Sequence, residues 1–239
     1  MQTAATQPNR DRAILWDNDG VLVDTEKVFF EANRRELAAL GIEASWADFE
    51  EINLRGGVSL LTLSKLDGDE LRALYARRDA LYTQLLGTEA IAIAGMADLV
   101  ARLALRFHMG IVTSSHREHF EIIHARSGML AHFGFHVVRE DYVLAKPQPD
   151  SYLVGIERSG LPRERCIAVE DSPRGVTAAR AAGLHVVYFS PGGFGAARDV
   201  GNVYARVETA AELEESLNDW AQRPMNRTVM PSNPVLPGA

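Results

Sequence analysis

The sequence predicts an open α/β fold, a doubly wound parallel sheet that carries an inserted all-helical block. Three observations lead there. Several short runs are apolar throughout rather than alternating, as strands covered on both faces are: Ala13-Ile14-Leu15-Trp16, Gly110-Ile111-Val112, Cys166-Ile167-Ala168-Val169 and Val186-Val187-Tyr188-Phe189, with His136-Val137-Val138 a shorter candidate. Helical patterns sit between these runs, the alternation that builds a parallel, Rossmann-like sheet. The seventy or so residues between Asp24 and Gly95 break the alternation, because they read as helix alone.

Each element has its own signature. Thr25 to Leu40 is amphipathic and stops at Gly41. Ser45 with Asp48 makes a capping box that opens the next helix. Ser59 caps a short helix, and Asp69 to Leu86 forms a long one ending at Gly87. The chain therefore divides into a helical domain over residues 24–94 and a core over 1–23 and 95–221, with crossings near Asp24 and near Ala94-Gly95. Within the core, Asp98 to Leu105, Arg117 to Arg126 and Ser151 to Ser159 place apolar residues three and four apart, as helices do. Ser172 to Ala182 is rich in alanine and closes on Gly183, a helix-ending position. Beyond Trp220, Pro224, Pro231, Pro234 and Pro237 punctuate a polar tail, so residues 222–239 are expected to be extended or disordered.

Composition narrows the function. The chain has 239 residues, 46% of them hydrophobic, enough for one sizeable core and a smaller one beside it. A formal charge of -7 repels polyphosphate backbones and argues against nucleic acid as a partner. Cys166 is the only cysteine, so no intrachain disulfide can form and a reducing compartment fits. The polar start, Met1 to Asp11, lacks the apolar core of a signal peptide, and no apolar run approaches the roughly 18 residues of a membrane span. A soluble cytoplasmic protein is expected, with its oligomeric state open.

The residues that follow the strands carry the chemistry, since ligands of such sheets bind beyond the carboxyl ends of the strands. Asp17-Asn18-Asp19-Gly20 follows the first strand, Thr113-Ser114-Ser115 the second, and Glu170-Asp171 the strand from Cys166. Lys146 lies after His136 to Val138. Four acids, a hydroxyl and one ammonium thus converge on one crevice. Two carboxylates about 5 Å apart repel by roughly 3 kcal/mol at an effective dielectric near 20, so four acids with one lysine call for a hard divalent cation. An open oxygen-lined site that also admits phosphate suits Mg²⁺. A carboxylate can attack phosphorus, a second acid two residues on can protonate the leaving oxygen and later activate water, and Thr113, Lys146 and the metal can neutralise the phosphoryl charge.

Four motifs in order also resemble a known family. Trp16-Asp-Asn-Asp-Gly-Val-Leu-Val-Asp-Thr-Glu26, Ile111-Val-Thr-Ser-Ser115, Lys146-Pro-Gln-Pro-Asp150 and Val169-Glu-Asp-Ser-Pro-Arg-Gly175 resemble the motifs of haloacid dehalogenase-type phosphatases, in the branch with a helical cap after the first strand. The resemblance runs from about Ala13 to Phe189. It implies that Asp17 is the nucleophile, Asp19 the general acid/base and Thr113 a phosphoryl-binding residue, while Lys146 steadies Asp17 and the phosphate. It further implies that the Asp17 carboxylate, the Asp19 backbone carbonyl and Asp171 ligate Mg²⁺, with Glu170 in or next to the metal shell. Gly20 lets the chain turn behind the nucleophile and joins Thr113, Ser114 and Lys146 as candidates for the phosphate cradle. Arg55, in the cap, is a candidate grip for an anionic substrate group. Asn18 departs from the family pattern, which favours an apolar residue there. Its side chain is expected to point away from the metal.

Simpler roles for the same residues fit the sequence less well. A calcium loop starting at Asp17 would need an oxygen ligand at its fifth position and Glu at its twelfth, where Val21 and Val28 stand. His116 and His119 have metal-like spacing but no third ligand, so a solvated helix start is the better reading. The expected activity is a Mg²⁺-dependent phosphatase acting on a small phosphorylated metabolite, a sugar phosphate or a phosphoglycolate-like ester. The alternative is a β-phosphoglucomutase-type mutase, whose gating His and phosphate-gripping Arg align with Phe29 and Leu60. A dehalogenase needs no acid at Asp19, a phosphonate hydrolase has none at that position, and a catalytically dead binding module would not keep every catalytic residue.

Overall fold

The computed structural model describes residues 10–55, 57–88, 92–125, 127–191 and 199–224. Its centre is a six-stranded sheet, parallel throughout, in the order β3-β2-β1-β4-β5-β6. The strands are β1 (Ala13–Trp16), β2 (His108–Val112), β3 (Phe135–Val137), β4 (Cys166–Glu170), β5 (His185–Phe189) and β6 (Ala205–Val207). Successive side chains of the central strands feed opposite cores, which is why their sequences are apolar without alternation. Ile14, Trp16, Ile111 and Val169 pack on one face beneath α4 (Met96–Leu103), α5 (Arg117–His124) and α8 (Ala210–Gln222). Leu15, Val112 and Ala168 pack on the other beneath α6 (Asp150–Ser159) and α7 (Pro173–Ala181). Each buried Val, Leu or Ile among these contributes about 1.5–3 kcal/mol by leaving water.

Between β1 and β2 the chain is helical: α1 (Glu26–Ala38), α2 (Trp46–Phe49), a π-turn (Glu50–Arg55), a 3-10 turn (Leu60–Ser64) and α3 (Gly68–Leu86). The capping box at Ser45 forms, with Ser45 Oγ accepting from Asp48 N–H and the Asp48 carboxylate accepting from Ser45 N–H. Ser59 Oγ likewise accepts from Leu61 N–H. Leu37, Phe49, Leu60, Leu61 and Leu74 give the block a cluster of its own, while Val28, Ala32, Tyr82, Leu85 and Leu86 join the larger core under the sheet. The block leaves and rejoins the sheet at neighbouring points. Val23 bridges Ala92, and Ile93 N–H donates to Leu22 O at 3.3 Å.

Two elements correct the sequence reading. The edge strand β6 was not foreseen, because Ala205-Arg206-Val207 is short and interrupted by a charge. α8 was missed as well, although Thr209 and Glu212 form a capping box at its start. α8 ends at Gln222, so the helix takes up the first residue assigned to the tail. The tail from residue 225 lies outside the described residues. Arg12 fastens this terminal helix to β1, donating to Trp220 O at 2.8 Å. Among the described residues no helix is long and apolar enough to cross a membrane.

Candidate active site

The strand order reverses direction around β1 and β4, and the acids stand at that point. Asp17 N–H donates to Val169 O at 2.9 Å, which continues the β1–β4 ladder one residue past Trp16. The chain then folds back sharply. The Asn18 carbonyl accepts from the amides of Val21, Leu22 and Val23 at 3.3, 2.8 and 3.1 Å. Gly20 has φ of +79°, and a Cβ on it would overlap the Asp171 carboxylate. A Cβ on Gly175 would likewise overlap the carboxylate of Glu170.

One half of the site is held by charge. Lys146 Nζ uses all three protons, donating to Glu170 Oε1 at 2.7 Å, Asp17 Oδ1 at 2.9 Å and Val112 O at 3.1 Å. Tyr152, wholly buried, donates its hydroxyl to the same Glu170 oxygen at 2.7 Å. The other Glu170 oxygen accepts from Asp171 N–H, Ser172 N–H and Ser172 Oγ at 3.2, 3.4 and 3.2 Å. Burial, and then the charge of Glu170, push the Asp17 carboxyl up to about 7 against the pull of Lys146. Burial alone would lower Lys146, but the carboxylates of Asp17 and Glu170 carry it above its ordinary value. Carboxylate oxygens of Asp17, Glu170 and Asp171 lie within 4.8 Å of one another. Three acids around one ammonium leave room for a further positive charge, and an all-oxygen donor set fits a hard cation.

The other half is held by neutral donors. Asp19 Oδ2 accepts from Ser115 Oγ at 2.7 Å, Thr113 Oγ1 at 3.2 Å and Asn18 Nδ2 at 3.4 Å, and Asp19 Oδ1 accepts from Thr25 Oγ1. Thr113 is fully buried, and its Oγ1 also accepts from Ser115 N–H at 2.9 Å. Its hydroxyl therefore faces Asp19, while Ser114 lines the crevice. Asn18 turns into the protein and meets His124 Nε2 at 2.8 Å. Burial drives the His124 imidazole down to about 4, so it is neutral at pH 7.

The crevice measures about 230 Å³. Asp17, Asp19, Lys146 and Asp171 form its charged floor. Glu26 of α1, Asn53 and Leu54 of the π-turn, and Ser172, Pro173 and Arg174 leading into α7 complete its lining. Of the residues singled out from sequence, Asp17, Asp19, Ser114, Lys146 and Asp171 meet in this crevice. Glu170 sits behind Lys146, and Gly20 lies against Asp171. The Arg55 side chain lies outside the described residues. His116 pairs with Glu140 at 2.8 Å, and His119 packs edge-on to Tyr82 with its Nε2 3.3 Å from Thr83 Oγ1. Sequence reasoning missed Thr25, Ser115 and Tyr152. The first two stand inside or beside quoted motifs, and a question about what would hold a second acid could have found them.

A family model described as haloacid dehalogenase-like hydrolase matches residues 12–183. The protein CbbY of Rhodobacter capsulatus is 30% identical over 190 residues, covering 74% of this chain and 84% of the relative. The fructose-1-phosphate phosphatase YqaB of Escherichia coli is 28% identical over 183 residues, covering 74% and 96%. The crystal structure of CbbY from Rhodobacter sphaeroides in complex with phosphate superposes with a TM-score of 0.69 at 26% identity, covering 84% of this chain and 96% of that one.

Proposed function

The chain belongs to the haloacid dehalogenase-like hydrolase family, and from that membership we propose that it is a Mg²⁺-dependent cytoplasmic phosphatase of small phosphate monoesters. The observation that carries the reading is the pairing of Asp17 with Lys146 at 2.9 Å, in a crevice that also holds Asp19. The substrate class is a sugar phosphate or a phosphoglycolate-like ester, and the relatives named as phosphatases of fructose 1-phosphate, phosphorylated carbohydrates and glycerol 3-phosphate support the first.

Asp17 attacks phosphorus through a carboxylate oxygen, and the bond to the ester oxygen breaks. Asp19 gives that oxygen its proton, and the product alcohol departs. Asp19 then takes a proton from the water that attacks the aspartyl-phosphate at phosphorus, which releases phosphate and restores Asp17. Lys146 keeps the Asp17 oxygens aligned and meets the negative charge that the phosphoryl group brings. Asp17, Asp171 and the Asp19 carbonyl would hold Mg²⁺, with Glu170 beside them, and the ion supplies positive charge to the phosphoryl oxygens. Thr113 and Ser114 belong to the phosphate cradle, Thr113 through its placement of Asp19 and Ser114 directly. Residues 24–94 act as a cap over a core of 1–23 and 95–221, and Glu26, Asn53 and Leu54 on the cap side meet the organic part of the substrate.

Two residues argue against the mutase. Phe29 packs its ring against Tyr82, Phe49 and the Arg78 guanidinium, and Leu60 is fully buried, so neither offers the polar group that a mutase needs. The test is a hydrolysis screen over phosphorylated metabolites with and without Mg²⁺. Release of inorganic phosphate should need the metal, and Mg²⁺ should serve better than Ca²⁺, whose larger shell disturbs the attack geometry. Full turnover in excess chelator would overturn the metal-dependent mechanism. Conversion of β-glucose 1-phosphate to glucose 6-phosphate without phosphate release would overturn the phosphatase.

A further inference from the structure

Asn18 occupies the position where the family pattern carries an apolar side chain, and it is fully buried between the two catalytic candidates. The roles of its atoms follow from its neighbours. The ionised Asp19 carboxylate can only accept, so the face of the amide turned to Oδ2 is Nδ2, at 3.4 Å. The amide oxygen then faces His124 Nε2 at 2.8 Å, and only a proton on that nitrogen can satisfy it. Nδ1 keeps its lone pair and meets Ser127 Oγ at 2.9 Å, which donates to it. Ser127 Oγ in turn accepts from Met129 N–H at 3.1 Å. A continuous line of hydrogen bonds thus runs from the backbone after α5 to the side chain of Asp19. An amide held only at its nitrogen could flip end over end, whereas one held at both ends cannot.

We propose that Asn18 and His124 are positioning residues for Asp19, fixing the direction from which its carboxylate serves the reaction. This rests on the reading of Asp19 as acid/base. It gives a buried histidine, one that does not line the crevice and is unused by the mechanism above, a place in the chemistry.

The competing view is that Asn18 and His124 are only a satisfied buried pair. Removing both partners together separates the two views, because an apolar pair restores packing without restoring the amide at Asp19. The experiment compares wild type, His124→Leu, His124→Gln and the double variant Asn18→Leu with His124→Leu, by thermal melting and by steady-state and single-turnover phosphatase kinetics. The double variant should melt close to wild type. Its kcat should nevertheless fall about tenfold with KM changed less than about threefold, and its aspartyl-phosphate should hydrolyse more slowly by a similar factor. His124→Gln, whose amide can still donate to Asn18, should recover most of the kcat lost in His124→Leu. A folded double variant with wild-type kcat overturns the inference alone. Should the double variant not fold, equal kcat in His124→Gln and His124→Leu at equal folded fraction overturns it. A wild-type protein that hydrolyses none of the panel overturns the phosphatase reading and this inference with it.

Discussion

Asp17 and Asp19 stand two residues apart on one turn, yet the two halves of the crevice hold them by different forces. The Asp17 carboxylate is held by an ion: Lys146 at 2.9 Å, whose ammonium also meets Glu170 at 2.7 Å, all beneath the surface. Around Asp19 the donors are three hydroxyls and an amide, none of them charged. The difference suits two tasks. A nucleophile attacks only when ionised, and Lys146 is the fixed positive charge that pulls the buried Asp17 carboxyl toward that state against burial and Glu170. A group that gives and takes protons must not be locked in one state, and neutral donors hold it in place without a fixed opposing charge.

Substitutions can break this contrast or sharpen it. The largest effect is expected at the centre of the charged half. Asp17→Asn should lower kcat by at least about three orders of magnitude, with circular dichroism and melting unchanged, because an amide cannot attack phosphorus. Lys146→Met should do two things at once. It should lower kcat about a hundredfold and, by leaving two buried carboxylates without their ammonium, cost about 3–5 kcal/mol in denaturant unfolding of the metal-free protein. The hydroxyl half should respond more mildly. Ser115→Ala removes one donor at 2.7 Å from a carboxylate, and kcat should fall about tenfold with stability nearly unchanged. If Ser115→Ala proved as destabilising as Lys146→Met, the distinction between charge-held and hydroxyl-held acids would fail.

The smallest effect concerns pH. His124 titrates near 4 when folded and near its ordinary value of about 6.5 when unfolded. The unfolded chain therefore takes up a proton first as pH falls. The stability that this group leaves intact above about 6.5 is lost progressively toward 4. Melting temperatures measured from pH 7 to pH 5 should drop several degrees more in wild type than in His124→Gln. Parallel curves for the two proteins would mean that the burial of His124 is electrostatically neutral.

Much of this was legible in the sequence for physical reasons. Strands buried on both faces have to be apolar, and β1, β2, β4 and β5 are, apart from the end residues His108, Glu170 and His185. Acids at strand ends are costly unless used, so Asp17, Asp19, Glu170 and Asp171 are conspicuous in the sequence. What escaped was cross-chain hydrogen bonding. Nothing periodic links Asn18 to His124 across 106 positions, or Tyr152 to Glu170 across 18, because a side-chain bond depends on where two segments meet rather than on local repetition. β6 escaped because an edge strand covered on one side carries a weaker apolar signal, with Arg206 in its middle. The π-turn of Glu50–Arg55, which brings Asn53 and Leu54 to the crevice, has no pattern separating it from an ordinary helix.

The bridge between Val23 and Ala92 bears on how such a molecule can change over generations. Everything from α1 to α3 departs and returns through one doorway, where Ile93 already bonds to Leu22. An insertion whose two ends touch can be lengthened, shortened or exchanged for another without asking any strand of the sheet to move, because the distance it must span stays the same. The acids at β1 and β4 lie outside that doorway, so, on the proposed reading of residues 24–94 as a cap, a different block joined at Val23 and Ala92 would redraw the list of accepted molecules and leave the reaction intact.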